Sequence, residues 1–205
     1  MTTPRAFGFH ADYGDRAALI LLLAVILLSL PPLLVAEERD EALALVREGE
    51  AVLMLRHALA PGVGDPEGFE VGDCSTQRNL DERGREQARA WKPFLQAHGI
   101  DRARVLSSQW CRSMDTAQEM NVGEVVELPP LNSFFGGRGD REQQTRDTIM
   151  HVNTMEPGDP VILVSHQVNI TALTGTSVRS NEGVIIRLPP EQRSEVVARI
   201  APDAE

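Results

Sequence analysis

The chain has 205 residues, a length that fits one compact domain with at most a short additional segment. Its formal net charge is −10, and residues 37–205 keep that charge because residues 1–36 contain two Arg and two Asp. A domain this acidic does not bind nucleic acid through a general positive field. We therefore expect no nucleic-acid partner, and any bound anion must be held by local arginines.

An apolar segment lies near the start of the chain. It reads AALILLLAVILLSL over Ala17–Leu30, with two arginines before it, and two prolines and LLVA follow. A positive flank before an apolar core is typical of a secretory signal, and the stretch up to Ala36 is also long enough to span a bilayer. We therefore expect an exported protein, periplasmic or attached to the outer side of a membrane. Residues 1–36 would be a signal peptide or an anchor, and residues 37–205 the functional domain.

The first predicted elements are a helix and a buried strand. Apolar residues at helical spacing between Glu37 and Glu50 predict a short amphipathic helix. Ala51–Leu55 is apolar throughout, as in strands that are buried on both faces of a parallel sheet. A loop rich in Gly, Pro and Asp follows over residues 61–79. Loops of this length within compact domains usually have a function.

A longer helix is predicted after this loop. It covers residues 82–98, with Asn79 or Asp81 as its N-cap and Gly99 as its stop signal. Pro93 lies inside the pattern and predicts a kink, because proline cannot donate a backbone hydrogen bond.

The rest of the chain alternates strands with helices. The predicted elements are, in order, a strand over Ala103–Ser108, a helix over Cys111–Met120, a strand over Glu124–Leu128, a helix over Arg141–Met155, a strand over Pro160–His166, a helix over Gln167–Gly175 and a last strand over Gly183–Leu188. Such alternation is typical of an α/β domain. We predict a three-layer α/β/α fold with a mainly parallel central sheet.

Basic side chains follow three of these strands. Arg56 and His57 end the first strand, His166 ends the strand before the last, and Arg112 lies in the helix that follows the second strand. Ligands of open parallel sheets bind at the carboxyl ends of the strands, so we expect these four side chains to meet. Guanidinium groups match phosphate oxygens, and a neutral imidazole can act as a nucleophile. The cluster therefore indicates phosphoryl transfer.

A metal site is the alternative for two histidines. It needs further His, Cys or carboxylate ligands at workable spacing, and the neighbouring arginines would repel a divalent cation. We therefore expect neither a metal nor another cofactor.

The two cysteines, Cys74 and Cys111, both lie in the part expected to be exported. An oxidising compartment permits a disulfide between them. Sequence does not fix their separation, so a disulfide and two free thiols both stay open.

Four segments together resemble the histidine phosphatase superfamily, which has the phosphoglycerate mutase fold. They are LRHA (Leu55–Ala58), NLDERGREQA (Asn79–Ala88, with Asp81 in place of the family's Thr), SSQWCRSMDTA (Ser107–Ala117) and LVSHQVNITALTG (Leu163–Gly175). The resemblance spans residues 50–188. The apolar amino-terminal segment and the RHA form of the motif resemble the exported bacterial group that includes lipopolysaccharide core heptose phosphatases.

The resemblance implies a phosphomonoesterase and a role for each matching residue. His57 would be phosphorylated on its ring, while Arg56, Arg112 and His166 grip the phosphoryl oxygens. Water would then hydrolyse the phosphohistidine, and the substrate would be a phosphorylated small molecule or glycan. Beyond the phosphate, we expect substrate contacts from four side chains, Gln77, Arg78, Arg138 and Gln167.

The chain departs from the family at both usual proton donors. Ser133 stands where one branch has a glutamate, and Gln167 stands where the other has an aspartate. Among the carboxylates near the predicted edge of the sheet, we choose Glu182 as the candidate acid. The alternatives are a substrate that needs no acid, phosphotransfer to another acceptor as in mutases, and a silent domain of the same fold that only binds a phosphate ligand.

Overall fold

The computed structural model describes residues 37–202, so the expected leader, residues 1–36, lies outside the described residues. The second of the chain's two compact units, Arg39–Glu205, contains the sheet. Between residues 37 and 202, no helix is both long and apolar enough to cross a bilayer.

One six-stranded sheet forms the centre of the described part. Its strands are Ala51–Arg56 (β1), Arg104–Ser107 (β2), Val125–Glu127 (β3), Val161–Ser165 (β4), Gly183–Arg187 (β5) and Val196–Ile200 (β6). The strand order is β3-β2-β4-β1-β5-β6. The first four strands of that order pair in parallel, whereas β5 is antiparallel to both β1 and β6. The predicted mainly parallel sheet is confirmed.

Helices cover both faces of the sheet. They are residues 37–47 (α1), Glu82–Arg89 (α2), Trp91–Ala97 (α3), Cys111–Met120 (α4), Arg141–Asn153 (α5) and Gln167–Thr174 (α6). Leu53 and Leu55 of β1 pack in one buried cluster with side chains of α1, α3 and α4. Val52 and Met54 pack in a second cluster with side chains of α5 and α6. The three-layer prediction is therefore confirmed, and β1 is buried on both faces as its sequence indicated.

The predicted kinked helix is two separate helices in the structure. The break falls at Ala90, between α2 and α3, three residues before Pro93. Pro93 lacks the N–H that would continue the hydrogen-bond ladder, and its ring clashes with the carbonyl one turn earlier. Of the two candidate N-caps, Asp81 caps α2, where its Oδ1 accepts from the Gly84 N–H at 2.8 Å.

The edge strand β6, Val196–Ile200, was not predicted from the sequence. Most of its residues are only partly buried, so its apolar alternation is weak. It pairs with β5 across a register shift between Ile185 and Ile186. A short, half-exposed edge strand gives little periodic signal.

The register between β1 and β4 decides where the site forms. Arg56 lies opposite Ser165 in this parallel pair, and the His57 N–H donates to the Ser165 carbonyl at 3.0 Å. The next residue on each strand is therefore a histidine. His57 and His166 leave the sheet side by side.

Helix α2 holds the chain just after His57. A Cβ at Gly84 would lie 2.1 Å from the Leu59 carbonyl oxygen, so the helix touches this backbone directly. The Leu59 N–H also donates to Gln87 Oε1 at 3.0 Å. A side chain at position 84 would push the chain after β1 away from the helix.

Gly84→Ala should therefore destabilise the fold by about 1 to 3 kcal/mol, the usual cost of overpacking a tight contact. Urea unfolding would measure this loss. Arg83→Ala, an exposed neighbour on the same helix, serves as control and should change stability by less than about 0.5 kcal/mol. Equal stability of Gly84→Ala and the parent protein would contradict the close contact.

Cys74 and Cys111 form a disulfide, with Cα atoms 5.7 Å apart and a sequence separation of 37. The structure thus decides between the two states that the sequence left open. Because Cys111 is the first residue of α4, the bond ties the 61–79 loop to the start of this helix. The bond also constrains the unfolded chain.

Cys74→Ser should lower the free energy of unfolding by about 2 to 4 kcal/mol, since it releases a loop of this length in the unfolded state. Cys111→Ser should cost a similar amount. The double variant should cost little more than either single one, because both remove the same bond. Additive losses in urea unfolding would contradict the linkage.

Candidate active site

The four side chains expected to meet line one cleft of about 290 Å³. His57 and His166 have ring centroids 5.4 Å apart. The Arg112 Nε–H donates to His57 Nε2 at 3.3 Å. Arg56 is the last residue of β1 and lies on the same cleft wall.

The cleft is strongly positive. Eight further residues complete its lining: Gly62, Val63, Gly64, Arg78, Ser133, Phe135, Gln167 and Val168. Three arginines and no Asp or Glu occur among the described lining residues. Over residues 37–202, no three His, Cys, Asp or Glu side chains cluster as a metal site would require. The cleft is therefore suited to an anion with several oxygens.

The backbone fixes which nitrogen of His57 faces the cleft arginine. His57 Nδ1 lies 2.7 Å from the Ala58 carbonyl oxygen, which can only accept. Nδ1 therefore carries the hydrogen, and Nε2 keeps its lone pair. Burial, and to a smaller extent the charge of Arg112, hold the pKa of His57 well below its usual range. The ring is neutral near pH 7, and Nε2 is a potential nucleophile.

The Ala58 backbone is itself anchored. Its N–H donates to Thr116 Oγ1 at 2.9 Å, and this hydroxyl donates to the Arg112 carbonyl at 2.7 Å. Thr116 and Arg112 both belong to α4. One turn of this helix therefore positions the chain after His57.

His166 offers the cleft an unpaired nitrogen. Its Nε2 lies 2.8 Å from Ser108 Oγ and 3.4 Å from Ser113 Oγ. Its Nδ1 is buried and, within the described part of the chain, has no hydrogen-bond partner; the same is true of Arg56 Nε. Burial, and to a smaller extent the neighbouring His57, lower the pKa of His166 well below its usual range. A bound oxyanion would satisfy such groups.

Gln167, expected to contact substrate, lines the cleft beside Arg56. Its Oε1 accepts from Arg56 Nη1 at 3.3 Å, and its Nε2 donates to Ser177 Oγ at 2.8 Å. Arg56 Nη1 also donates to the Val178 carbonyl at 3.1 Å. Gln167 therefore orients Arg56.

Arg78 also lines the cleft, whereas Gln77 and Arg138 do not. Arg78 Nε donates to the Gly64 carbonyl at 2.8 Å and so orders the loop. Gln77 is buried, and its Oε1 accepts from the Cys111 N–H at 2.9 Å. The sequence could not separate these roles, because all three residues lie in polar loops.

Arg138 sits over the ring of Phe69, 4.6 Å from its centroid. Phe69 in turn stacks on Trp110 at 4.8 Å between centroids. This exposed arginine therefore covers the outer side of the 61–79 loop instead of the cleft.

Glu182, the expected acid, is held away from the cleft. Its carboxylate accepts from Arg199 Nε at 3.0 Å and from the Arg179 N–H at 2.7 Å. Burial raises the pKa of Glu182, but these hydrogen bonds outweigh burial and leave its pKa below the usual range. Arg199 lies on the strand that was not predicted, so this partner was not visible in the sequence.

The carboxylate that the sequence reasoning missed is Asp65. It accepts from Arg112 Nη1 at 2.5 Å and Nη2 at 3.2 Å, and from Trp110 Nε1 at 3.1 Å. Its side chain is 5% exposed. Burial raises the pKa of Asp65, but the bonds from Arg112 and Trp110 keep the pKa below its usual range. Nothing in the spacing distinguishes Asp65 from the other acids of its loop.

Comparisons with known proteins agree with this fold. The family model of the histidine phosphatase superfamily (branch 1) matches residues 52–146. The solved structure of the protein histidine phosphatase SixA complexed with tungstate is 17% identical, with a TM-score of 0.52, over 74% of this chain and 97% of that chain. No match was found among the curated proteins.

Two mycobacterial structures have the same fold. One is glucosyl-3-phosphoglycerate phosphatase in complex with VO3, which is 17% identical, with a TM-score of 0.53, over 72% of this chain and 98% of that chain. The other, mycobacterial hydrolase 1, is 17% identical, with a TM-score of 0.54, over 75% of this chain and 99% of that chain. Together with the family match, which covers the RHA motif and the helix carrying Arg112, they lead to one conclusion. Residues 52–146 of the chain match the histidine phosphatase superfamily, and the described part of the chain has the fold of these solved phosphatases.

Proposed function

We propose that the protein is a metal-independent phosphomonoesterase that forms a phosphohistidine on His57 Nε2. The observation that carries this proposal is the state of His57. It is a buried, neutral imidazole with Nδ1 bonded to a backbone carbonyl and Nε2 facing Arg112. A lone pair fixed beside a guanidinium group is what a nucleophile toward a phosphoryl group requires.

The phosphoryl oxygens would be bound by Arg56, Arg112 and His166. The single Ser108 hydroxyl hydrogen can go to Asn132 Oδ1 at 3.2 Å or to His166 Nε2 at 2.8 Å. In the second arrangement, His166 Nδ1 carries the ring hydrogen and becomes a donor. This is the buried nitrogen without a partner among residues 37–202. The three arginines of the cleft stabilise the charge of the transferring group, so these residues supply the electrostatic stabilisation without a metal.

The reaction would have two steps. His57 Nε2 attacks phosphorus, the phosphorus–oxygen bond to the substrate breaks, and the leaving oxygen takes a proton. Water then attacks the phosphohistidine, the phosphorus–nitrogen bond breaks, and phosphate leaves. Both steps use the same oxyanion contacts, since the phosphoryl group does not leave the cleft between them.

The substrate we propose is a phosphorylated small molecule or glycan. Val63 and Phe135, which are 90% and 52% exposed, form an apolar lip on the cleft. Such a surface suits the face of a sugar ring or a short apolar group. The solved structures described above include a glucosyl-3-phosphoglycerate phosphatase and a protein histidine phosphatase.

We also propose that the protein acts outside the cytoplasm. The apolar segment from Ala17 to Ala36 would export the domain or attach it to a membrane. The Cys74–Cys111 disulfide supports this location, because structural disulfides persist in oxidising compartments.

A silent domain that only binds a phosphate ligand is the second candidate. The observation in its favour is that the described cleft lining contains no Asp or Glu to protonate a leaving group. Such a domain would bind phosphate but never carry a covalent phosphate on His57.

The purified protein should hydrolyse an aryl phosphate in excess chelator, because an aryl oxide leaves without strong acid help. His57→Ala should lower kcat/KM by roughly 10³-fold or more, whereas His151→Ala, an exposed histidine on α5, should not change it. Mass spectrometry after a quench in alkaline denaturant would detect the phosphoenzyme in the parent protein, because the phosphorus–nitrogen bond of phosphohistidine is labile in acid but stable in base. A folded protein without turnover or phosphoenzyme would favour the binding domain instead.

The neutral histidines should also make stability depend on pH. An unfolded imidazole has a pKa near 6.5, whereas burial lowers the pKa of His57 and His166 in the fold. Below about pH 6.5 the unfolded chain therefore binds protons that the folded chain does not. As the pH is lowered, the free energy of unfolding should decrease by up to about 1.4 kcal/mol per pH unit for each ring. The decrease should end once the pH reaches the pKa of the ring in the folded protein.

Urea unfolding between about pH 7.5 and pH 5.5 would measure this slope. His57→Gln should show a shallower dependence than the parent protein, by the contribution of one ring. An unchanged slope would mean that His57 takes up protons normally in the fold.

A further inference from the structure

The proposed reaction leaves one group unassigned, the acid that protonates the leaving oxygen. Ser133 and Gln167 line the cleft at the positions of the family's usual donors, and neither is an acid. Glu182 is bound by Arg199 and does not line the cleft. Among the described residues, Asp65 is the carboxylate that forms an ion pair with an arginine of the cleft.

Asp65 occupies the part of Arg112 that an oxyanion would use. The Arg112 Nε–H faces His57 at 3.3 Å, and Nη1 donates to Asp65 at 2.5 Å and to the Arg78 carbonyl at 3.4 Å. Nη2 donates to the other Asp65 oxygen at 3.2 Å. These contacts engage four of the five N–H donors of a guanidinium group. A phosphoryl group that accepts from both terminal nitrogens of Arg112 therefore competes with Asp65 for these donors.

We infer that Asp65 carries the proton to the leaving oxygen, after the phosphoryl group of the substrate has replaced its carboxylate on Arg112. This inference rests on the proposed phosphohistidine reaction and assigns its missing acid. The carboxylate is in the ionised state while it is paired with Arg112. Once displaced, it loses that cation and lies beside an anionic phosphate, and both changes favour the protonated form.

The protons balance through one cycle. A phosphate monoester that binds as its monoanion gives its proton to the displaced Asp65 carboxylate. Asp65 then gives that proton to the leaving oxygen as His57 Nε2 forms its bond to phosphorus and the phosphorus–oxygen bond breaks. In the second step, Asp65 takes a proton from the attacking water as the phosphorus–nitrogen bond breaks. Asp65 then passes that proton to the phosphate, which leaves as its monoanion, and the ionised Asp65 returns to Arg112.

The loop around Asp65 is built to keep the freed carboxyl nearby. Trp110 donates to it from Nε1 at 3.1 Å and stacks on Phe69 of the same loop. The disulfide at Cys74 fixes the far end of the loop to α4, the helix that carries Arg112. Displacement therefore requires a local movement of Asp65 and not an opening of the whole loop.

The test compares two leaving groups in the full-length protein. Kinetics with p-nitrophenyl phosphate and with glycerol phosphate give the ratio of alkyl to aryl kcat/KM. An alkoxide needs an acid and an aryl oxide does not, so Asp65→Asn should lower this ratio by about 10²-fold or more. Asp65→Glu keeps a carboxyl group and should recover most of the ratio. Asp73→Asn, which changes an exposed acid of the same loop, is the matched control and should leave the ratio unchanged.

Inorganic phosphate binding tests the displacement separately. Asp65→Asn removes a charged competitor for Arg112 while keeping the side-chain shape, so calorimetry should show phosphate binding about tenfold more tightly. Weaker binding would overturn the displacement and make Asp65 a positioning residue for Arg112. Equal loss on both substrates, or no loss, would overturn the acid role.

These results are distinguishable from failure of the proposed function. If the parent protein hydrolyses neither substrate and forms no phosphoenzyme, the phosphohistidine reaction itself is wrong and Asp65 has no proton to carry. If the parent hydrolyses both and the Asp65→Asn ratio is unchanged, the reaction stands and only the assignment of the acid fails.

Discussion

The parallel pairing of β1 with β4 is the constraint on which the site depends. Its register sets Arg56 opposite Ser165, so both strands end at the same level and the next residue of each is a histidine. A shift of one residue would turn the side chains of a strand to the opposite face. The observed register sets the level at which both strands end, and it thereby fixes the positions from which the two imidazoles enter the cleft.

This arrangement concentrates positive charge at the sheet edge, where burial makes charge costly. Three arginines line the cleft beside His57 and His166. The backbone offsets part of the cost, because the carbonyls of Val178 and Gly64 accept from Arg56 and Arg78. The histidines contribute no charge, since burial and the nearby guanidinium groups depress the pKa of each. The field that attracts a phosphate therefore also keeps the nucleophile neutral.

The sequence predicted those parts of the molecule that depend on short-range patterns. The apolar runs gave most strands, and the rule that parallel strands bind ligands at their carboxyl ends brought Arg56, His57, Arg112 and His166 to one edge. The sequence-based prediction failed where the environment of a side chain depends on residues far away in the chain. The partner of Glu182 is Arg199 on an edge strand with little apolar alternation, so a paired carboxylate looked free.

Asp65 was missed for a related physical reason. Its loop, residues 61–79, contains neither α-helix nor strand, so no periodicity reports where a side chain points. The loop is nevertheless fixed at several points, by the disulfide at Cys74, by the stack of Phe69 on Trp110 and by Arg78 donating to the Gly64 carbonyl. Each tie reduces the conformational freedom that a glycine-rich segment would otherwise keep. Two of these ties lead to the start of the helix that carries Arg112. A carboxylate on a loop can therefore be held beside the oxyanion site as firmly as one on a strand. Because the loop has no regular periodicity, the spacing of residues in the sequence does not reveal such an acid.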